Sequence, residues 1–224
     1  MNAERWTGVD RYITDTFVPA DAALDAALQD SAAAGLPAIN VAPNQGKFLQ
    51  LLAKLNGARR ILEIGTLGGY STIWLARALP AGGRLVTLEF EPKHAEVARK
   101  NIARAGLAEV VEIRQGAAAD TLRKLIAEKC APFDFIFIDA DKEGYPEYFT
   151  LSLKLARPGT CILADNVIRN GEVIETDHAD SRVHGIRRFH ELVAAEPRVT
   201  ATTIQTVGSK GYDGFTLAIV TATA

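Results

Sequence analysis

The chain lacks the features that mark several large classes of protein. Its 224 residues include only two cysteines, Cys130 and Cys161, which are too few for a disulfide framework or a cysteine-rich zinc site. Its formal net charge of −2 provides no broad positive field to attract nucleic acid. No hydrophobic run approaches the ~20 residues of a membrane-spanning helix, and the amphipathic start has no apolar signal core. We therefore expect a cytoplasmic protein with two free thiols, no nucleic-acid partner and no membrane association.

The residues that are present match the composition of an ordinary globular domain. Hydrophobic residues make up 48% of the chain and charged residues 23%, which are near the averages for folded proteins. The length suits one α/β domain, because a single hydrophobic core stops growing near ~250–300 residues. We expect residues 1–224 to form a single domain, with residues 1–56 as a helical N-terminal addition within it.

From residue 60 onward, short hydrophobic runs rich in branched side chains alternate with helical stretches. This alternation predicts a mostly parallel sheet covered by helices on both faces. The last two β-rich runs, 199–207 and 215–220, are joined only by a loop, so they should form an antiparallel hairpin. The earlier strands are expected at residues 60–64, 84–88, 110–113, 133–138 and 161–163, and the helices between them at 71–79, 92–105, 117–129 and 145–156.

The N-terminal region contains a periodic pattern of large hydrophobic residues. Trp6, Val9, Ile13 and Phe17 recur at steps of three and four, which places them on one face of a helix. A second helix should follow and end near Gly35. The apolar face of the first helix either caps the active site of its own chain or pairs with a second copy.

A glycine-rich segment follows the first predicted strand, where ligands bind in open α/β sheets. Its glycines at 65, 68 and 69 allow a tight turn and a close approach of the backbone to a ligand. Their spacing differs from the G-x-G-x-x-G of dinucleotide sites. Glu63, at the end of the same strand, would repel a phosphate but suits an ammonium or a sulfonium group. Glu89, at the end of the second strand, can accept hydrogen bonds from ribose hydroxyls.

Polar side chains also follow the fourth and fifth predicted strands. Asp139 ends the fourth strand, and Asp165 with Asn166 ends the fifth. Adjacent parallel strands lie ~4.8 Å apart, so these side chains should converge. Two carboxylates and an amide oxygen form an all-oxygen set that suits a hard cation such as Mg²⁺. Lys142, three residues after Asp139, can reach the same point.

Four segments in this order resemble the cation-dependent O-methyltransferases of class I, a family that includes catechol O-methyltransferase and caffeoyl-CoA O-methyltransferase. The resemblance extends from about Asn40 to Phe215 and is greatest for the bacterial small-molecule members. It implies a Rossmann-like methyltransferase sheet and favours a homodimer. The four segments are residues 63–71 (EIGTLGGYS), 89–92 (EFEP), 135–142 (FIFIDADK) and 163–167 (LADNV).

The resemblance also implies cofactors and residue roles. The cofactors are S-adenosylmethionine and a divalent cation, either Mg²⁺ or another such as Mn²⁺ or Ca²⁺. The metal ligands are Asp139, Asp165 and Asn166, and the general base is Lys142. The residues implied at S-adenosylmethionine are Val41, Glu63, Gly65, Ser71, Glu89, Ala118 and Asp139.

The expected reaction is methylation of a phenolic small molecule with two adjacent hydroxyls. Two positions depart from the catechol enzyme: Ala118 replaces a frequent serine near the adenine, and Ala140 replaces a tryptophan of the substrate pocket. Three alternatives remain open. They are methylation of a hydroxylated tRNA uridine, a non-catalytic cofactor-binding protein and a nicotinamide-dependent reductase. The absence of an excess of Lys and Arg disfavours the first, the complete ligand set the second, and the glycine spacing the third.

Overall fold

The computed structural model describes residues 3–222, which contain seven β-strands and eight α-helices. The strands are β1 (Arg60–Ile64), β2 (Arg84–Glu89), β3 (Val111–Gln115), β4 (Phe135–Ile138), β5 (Cys161–Asp165), β6 (Val199–Gly208) and β7 (Gly211–Val220). The helices are α1 (Ala3–Phe17), α2 (Ala22–Ala33), α3 (Pro43–Leu55), α4 (Tyr70–Ala76), α5 (Pro92–Arg104), α6 (Ala118–Ala127), α7 (Tyr145–Lys154) and α8 (Ser181–Ala195).

The seven strands form one sheet in the order β3-β2-β1-β4-β5-β7-β6. Strands β1 to β5 are parallel, and β7 runs antiparallel to both of its neighbours, β5 and β6. The predicted fold class is therefore confirmed, including the antiparallel end of the sheet. The chain moves outward from β1 to β3 and then crosses to β4, so the direction of winding reverses between β1 and β4.

Side chains of the central strands alternate between two hydrophobic layers. In β1, Leu62 and Ile64 pack on the face covered by α6, α7 and α8, whereas Ile61 packs on the face covered by α2 to α5. In β4, Ile136 and Phe137 are divided in the same way. This alternation follows from the two-residue period of a strand. Both faces of these central strands are apolar, so the layers of helices shield them from water.

The C-terminal hairpin differs in detail from the sequence prediction. A loop was expected at 208–214, but the two strands are joined by a turn of only two residues, Ser209 and Lys210. The polar stretch after the turn stays in the sheet because the Asp213 carboxylate accepts the backbone N–H groups of Ile168 and Arg169. Asp213 therefore fastens the hairpin to the segment that follows β5.

Two features outside the central sheet bear on the sequence predictions. Helix α1 packs on β6 and α3, yet none of its fifteen residues is buried. Cys130 and Cys161 are both free thiols, as predicted. Within residues 3–222, the structure contains no helix with the length and apolar character needed to cross a membrane.

Candidate active site

The carboxyl ends of β1, β2 and β4 open into one cleft of about 880 Å³. The cleft lies where the winding of the sheet reverses, which is where open α/β sheets bind ligands. Eight of the ten predicted site residues line it, and the other two, Glu63 and Asp165, are buried beside it. The eight are Val41, Gly65, Ser71, Glu89, Ala118, Asp139, Asn166 and the predicted base, Lys142.

Gly65 brings the ends of β1 and β4 into close contact. Its φ angle is +101°, in the region that favours glycine. A Cβ atom at this position would lie 2.0 Å from the carbonyl oxygen of Asp139. Only glycine therefore allows the loop after β1 to lie against the residue that begins the loop after β4. This contact places the glycine loop next to the predicted metal ligands.

Glu63 is fully buried behind the glycine loop and is not exposed to the cleft. Its carboxylate accepts hydrogen bonds from Ser71 Oγ at 2.6 Å, Thr72 Oγ1 at 2.5 Å and Thr87 Oγ1 at 2.7 Å. Burial raises the pKa of Glu63 to about 7, although these three hydroxyls oppose the rise. Of its partners, Ser71 lines the cleft, so Glu63 acts on the cleft by orienting this side chain.

Glu89 connects the end of β2 with the glycine loop. Its Oε2 accepts the backbone N–H groups of Thr66 at 3.2 Å and Leu67 at 2.8 Å, and its Oε1 accepts that of Glu91 at 2.9 Å. His94 Nδ1 lies 3.4 Å from the same carboxylate and also lines the cleft. These contacts hold Glu89 at the cleft wall. His94 therefore belongs to this part of the site as well.

Lys142 is nearly buried and has two polar partners. Its ammonium lies 2.9 Å from Asp139 Oδ1 and donates a hydrogen bond to Tyr145 Oη at 2.7 Å. The Tyr145 hydroxyl lies 2.7 Å from the carbonyl oxygen of Asp165 and 3.1 Å from that of Ile138. A buried charge is stable only with such partners. Tyr145 thus links the lysine to the ends of β4 and β5.

Asp165 and Asn166 lie at the end of β5. Asp165 Oδ2 accepts a hydrogen bond from Gln45 Nε2 at 2.5 Å, and its Oδ1 accepts one from the Asn166 N–H at 2.9 Å. Burial raises the pKa of Asp165, and the neighbouring carboxylate of Asp139 raises it further. Two carboxylates that lie close together and are shielded from water repel each other, and a cation bound between them relieves this repulsion.

The donor set at this point fits a hard divalent cation. Asp139, Asp165 and Asn166 offer only oxygen atoms, which Mg²⁺ prefers. Within residues 3–222 the Asn166 side chain has no hydrogen bond, so its amide oxygen is available to a ligand in the cleft. The described residues contain no group of three or more His, Cys, Asp or Glu side chains suited to a metal. The candidate set has two carboxylates, and its third member is an amide.

Sequence reasoning missed the residues that support this site from other elements. Gln45 comes from the first turn of α3, 120 residues before its partner Asp165. The Tyr145 ring packs edge-on against Phe189, with the ring centroids 5.7 Å apart. Its hydroxyl contacts depend on the crossing of β4 and β5, and no local pattern reveals them. Arg169, which also lines the cleft, was missed although it follows Asn166 by only three residues.

Comparison with known proteins places this architecture in one family. The model of the O-methyltransferase family matches residues 16–220. A catechol O-methyltransferase of Niastella koreensis is 57% identical over 220 residues, which cover 98% of this chain and 100% of the relative.

Two solved structures share both the fold and much of the sequence. The O-methyltransferase of Bacillus cereus, solved with SAH, has a TM-score of 0.97 and 62% identity over 98% of this chain and 100% of its own. The O-methyltransferase TomG of Streptomyces achromogenes, involved in tomaymycin synthesis and solved with SAM, has a TM-score of 0.96 and 55% identity over 99% and 100%. The chain is therefore a member of the O-methyltransferase family.

Proposed function

We propose that this O-methyltransferase transfers a methyl group from S-adenosylmethionine to one hydroxyl of a catechol-type phenol, with the help of a divalent cation. The observation that carries the proposal is the convergence of Asp139, Lys142, Asp165 and Asn166 on one edge of the cleft beside the glycine loop. The names of the relatives support the same reaction, since the Niastella koreensis protein is a catechol O-methyltransferase. Mg²⁺ is the expected cation, with Mn²⁺ or Ca²⁺ as alternatives.

The cofactor half of the cleft contains the residues suited to S-adenosylmethionine. Bound there, S-adenosylmethionine supplies a methyl group on a positively charged sulfur. Glu89 presents carboxylate oxygens for ribose hydroxyls, because its backbone partners hold it at the cleft wall. Ser71, oriented by Glu63, and the backbone of Val41 meet the methionine end. Ala118 meets the adenine through its backbone only, since its side chain has no polar atom.

The acceptor half contains the residues that prepare the hydroxyl. A divalent cation held by Asp139, Asp165 and Asn166 would lower the pKa of an adjacent phenol by direct charge stabilisation. Lys142 would take the proton as a neutral amine, since its Nζ atom lies at the same edge of the cleft. Tyr145 keeps Lys142 in place through its buried hydroxyl. Two adjacent hydroxyls can chelate a cation, whereas a single one binds it weakly, which favours a vicinal diol.

We also propose that the enzyme is a cytoplasmic homodimer. The two free thiols suit a reducing compartment. Helix α1 leaves Val9, Tyr12 and Phe17 in water, with exposed fractions of 51%, 68% and 66%. The neighbouring edge strand β6 exposes Ile204 and Val207 as well. An apolar surface formed by a helix and an edge strand is typical of an interface between subunits.

A methylation assay tests the metal and the diol together. Caffeic acid, which has two adjacent hydroxyls, should be methylated in the presence of S-adenosylmethionine and Mg²⁺. EDTA should abolish the reaction and added Mg²⁺ should restore it, because Asp139 and Asp165 alone leave the phenol protonated. 3,5-Dihydroxycinnamic acid, which keeps the carboxylate but whose hydroxyls are not adjacent, should react far more slowly. Calorimetry with Mn²⁺ should show one site per chain.

A matched pair of variants separates the metal site from general surface charge. Asp165→Asn should reduce both Mn²⁺ binding and turnover, since it replaces one of the two carboxylates at the site. Asp120→Asn should leave both unchanged, because Asp120 is an exposed residue paired with Arg123. Full activity of the metal-free enzyme would refute the metal requirement. Equal rates with caffeic acid and 3,5-dihydroxycinnamic acid would refute the vicinal-diol requirement.

A further inference from the structure

Arg169 lines the acceptor end of the cleft, and its positive charge has no hydrogen-bonded carboxylate partner among the described residues. The nearest carboxylate oxygen, Asp213 Oδ2, is 3.9 Å from the guanidinium, beyond hydrogen-bond distance. Its Nε atom is buried and has no hydrogen-bond partner. Within residues 3–222 the guanidinium makes no hydrogen bond at all. Leaving such donors unpaired in a partly buried site is unfavourable, so a complementary group from outside the chain would stabilise Arg169.

One oxygen of the acid beside Arg169 is occupied by backbone donors. Asp213 Oδ1 accepts the backbone N–H groups of Ile168 at 2.9 Å, Arg169 at 3.1 Å and Gly214 at 3.0 Å. Asp213 therefore acts chiefly as an anchor for the backbone of this segment. Asp180, the other acid close to Arg169, is paired with Arg182. Asp180 is thus engaged elsewhere, and Asp213 meets the Arg169 guanidinium only through Oδ2, at 3.9 Å and without a hydrogen bond.

The backbone at Arg169 is held in an uncommon conformation. Asn166, Arg169 and Asn170 have φ angles of +58°, +54° and +56°, which non-glycine residues rarely adopt. Such conformations persist only where the surrounding structure imposes them, and they are concentrated at ligand sites. The bonds to Asp213 impose this one. The segment that carries the predicted metal ligand Asn166 thus also fixes the start of the Arg169 side chain.

Arg182 provides the contrast that makes Arg169 informative. Both arginines line the same cleft. The Arg182 guanidinium donates three hydrogen bonds to Asp180, at 2.9, 3.0 and 2.6 Å. Arg182 is therefore hydrogen-bonded to its counter-charge, whereas Arg169 has only the 3.9 Å contact with Asp213. Asp141 and Glu143, the acids near this end of the cleft, already accept hydrogen bonds from Tyr148 and Ser181.

We infer that Arg169 binds an anionic substituent of the methyl acceptor, and that the preferred acceptors are catechols bearing a carboxylate. The inference rests on the proposed function, since it assigns the far end of the same acceptor site. A planar guanidinium with unpaired donors matches a carboxylate in both charge and geometry. Arg169 is then a specificity-determining residue, whereas Asp139, Lys142, Asp165 and Asn166 act on the reacting hydroxyl.

Three catechols that differ at one position test this assignment. They are 3,4-dihydroxybenzoate, its neutral methyl ester and the cationic 3,4-dihydroxybenzylamine. The wild-type enzyme should have its highest kcat/KM with the acid. Arg169→Gln should reduce kcat/KM for the acid by about 10- to 100-fold, chiefly by raising KM, because it removes a charge-assisted hydrogen bond. The same variant should change kcat/KM for the ester by less than about threefold. Arg169→Lys should retain part of the preference for the acid.

Arg182→Gln is the matched control, since Arg182 is an arginine of the same cleft whose charge is already paired. Any change in kcat/KM that it causes should be the same for the acid and for the ester. Calorimetric binding of 3,4-dihydroxybenzoate and its ester provides a readout that does not need turnover, and S-adenosylmethionine affinity should be unchanged in Arg169→Gln. Equal effects of Arg169→Gln on acid and ester, or a preference for the amine, would overturn the inference. If the wild type methylates none of the three catechols, the proposed function is refuted instead. The calorimetric comparison of the acid and the ester would then still decide the role of Arg169.

Discussion

Lys142 is the residue whose surroundings most directly determine its chemistry. Its side chain is 9% exposed, and its two polar contacts, to Asp139 and Tyr145, come from either side of the segment that carries it. The Tyr145 ring also lies near the ammonium, with its centroid 4.7 Å from Nζ. A lysine held in this way loses little freedom when it acts, because its position is already fixed. Its contribution should therefore appear in the rate of the proton transfer and not in binding.

The variant Lys142→Ala tests that contribution. Turnover of a catechol should fall by about 10²–10⁴, the range typical of a lost acid–base group. Binding of S-adenosylmethionine should hardly change, because on our proposal Lys142 contacts the acceptor only. The variant should recover in part as pH rises, since hydroxide can remove the phenolic proton in place of the lysine. Steady-state rates between neutral and alkaline pH and calorimetry of the cofactor give both readouts.

Lys100→Ala is the matched control, because Lys100 is an exposed lysine paired with Glu96 on α5. It should match the wild type in both assays. Near wild-type turnover of Lys142→Ala at every pH would mean that the lysine is not the base. A parallel loss of rate and cofactor affinity would make Lys142 a binding residue.

For individual residues, the sequence predicts the proposed reacting groups better than it predicts the side chains that hold those groups in place. Asp139, Asp165 and Asn166 could be found because each directly follows a strand, and parallel strands bring their ends together. Gln45 and the hydroxyl of Tyr145 could not, since their partners lie in other elements. The sequence predicts that Glu63 contacts S-adenosylmethionine directly. Sequence alone does not reveal how deeply the side chain is buried, and in the structure its carboxylate lies behind Ser71.

At the scale of elements, α8 positions the segment that carries Lys142. The helix lies across residues 142–144, and Gly185 is the point of closest approach. A Cβ atom on Gly185 would lie 2.3 Å from the carbonyl oxygen of Lys142 and 2.8 Å from Cα of Glu143. Both atoms are backbone, so they cannot move aside as a flexible side chain could. The absence of a side chain at Gly185 therefore determines how closely α8 approaches the active site.

The variant Gly185→Ala should lower both stability and turnover. Alanine favours a helix over glycine by roughly 0.5–1 kcal/mol. The contact with the backbone of Lys142 should outweigh this gain and give a net loss of about 1–3 kcal/mol, as overpacking usually does. Thermal unfolding should show a lower Tm, and the catechol assay a lower kcat.

Gly8→Ala is the control for helix propensity alone, because a Cβ atom on Gly8 in α1 would meet nothing within 4 Å. It should raise the stability slightly and leave kcat unchanged. If Gly185→Ala behaves like Gly8→Ala, then α8 adjusts freely and does not position Lys142.

The elements themselves differ in how well the sequence predicts them. Strands β1 to β5 were placed within one or two residues, because their hydrophobic runs are bounded by turns and separated by helices. The short turn of the hairpin was missed, since Tyr212 and Asp213 are polar enough to suggest a loop. Helix α8 was not predicted as an element, because its residues mix charged, small and apolar types. Its place depends on contacts with α7 and with residues 142–144.

At the scale of the whole molecule, the layered core was predictable and the outer surface was not. Alternating strands and helices specify two apolar layers around one sheet, and both are present. Helix α1 belongs to neither layer. Asp10 holds it in place by accepting hydrogen bonds from the Ser209 N–H at 2.7 Å and from Asn44 at 2.8 Å. Trp6 and Ile13, which were expected on its apolar face, are half-buried, and Val9 and Phe17 remain exposed.

The homodimer is the prediction that accounts for this exposed helix. A fifteen-residue helix with no buried residue gains little from packing on its own chain. A second copy that covers Val9, Tyr12 and Phe17 would supply the missing apolar contact. Light scattering at micromolar concentration should therefore give twice the 24.1 kDa of one chain. The double variant Val9→Glu/Tyr12→Glu should give a monomer, because it places two buried charges in the interface. Leu55→Glu should stay dimeric, since that exposed leucine lies at the far end of α3 from Asn44, where α1 docks. A mass of one chain for the wild type would show that α1 serves only its own subunit.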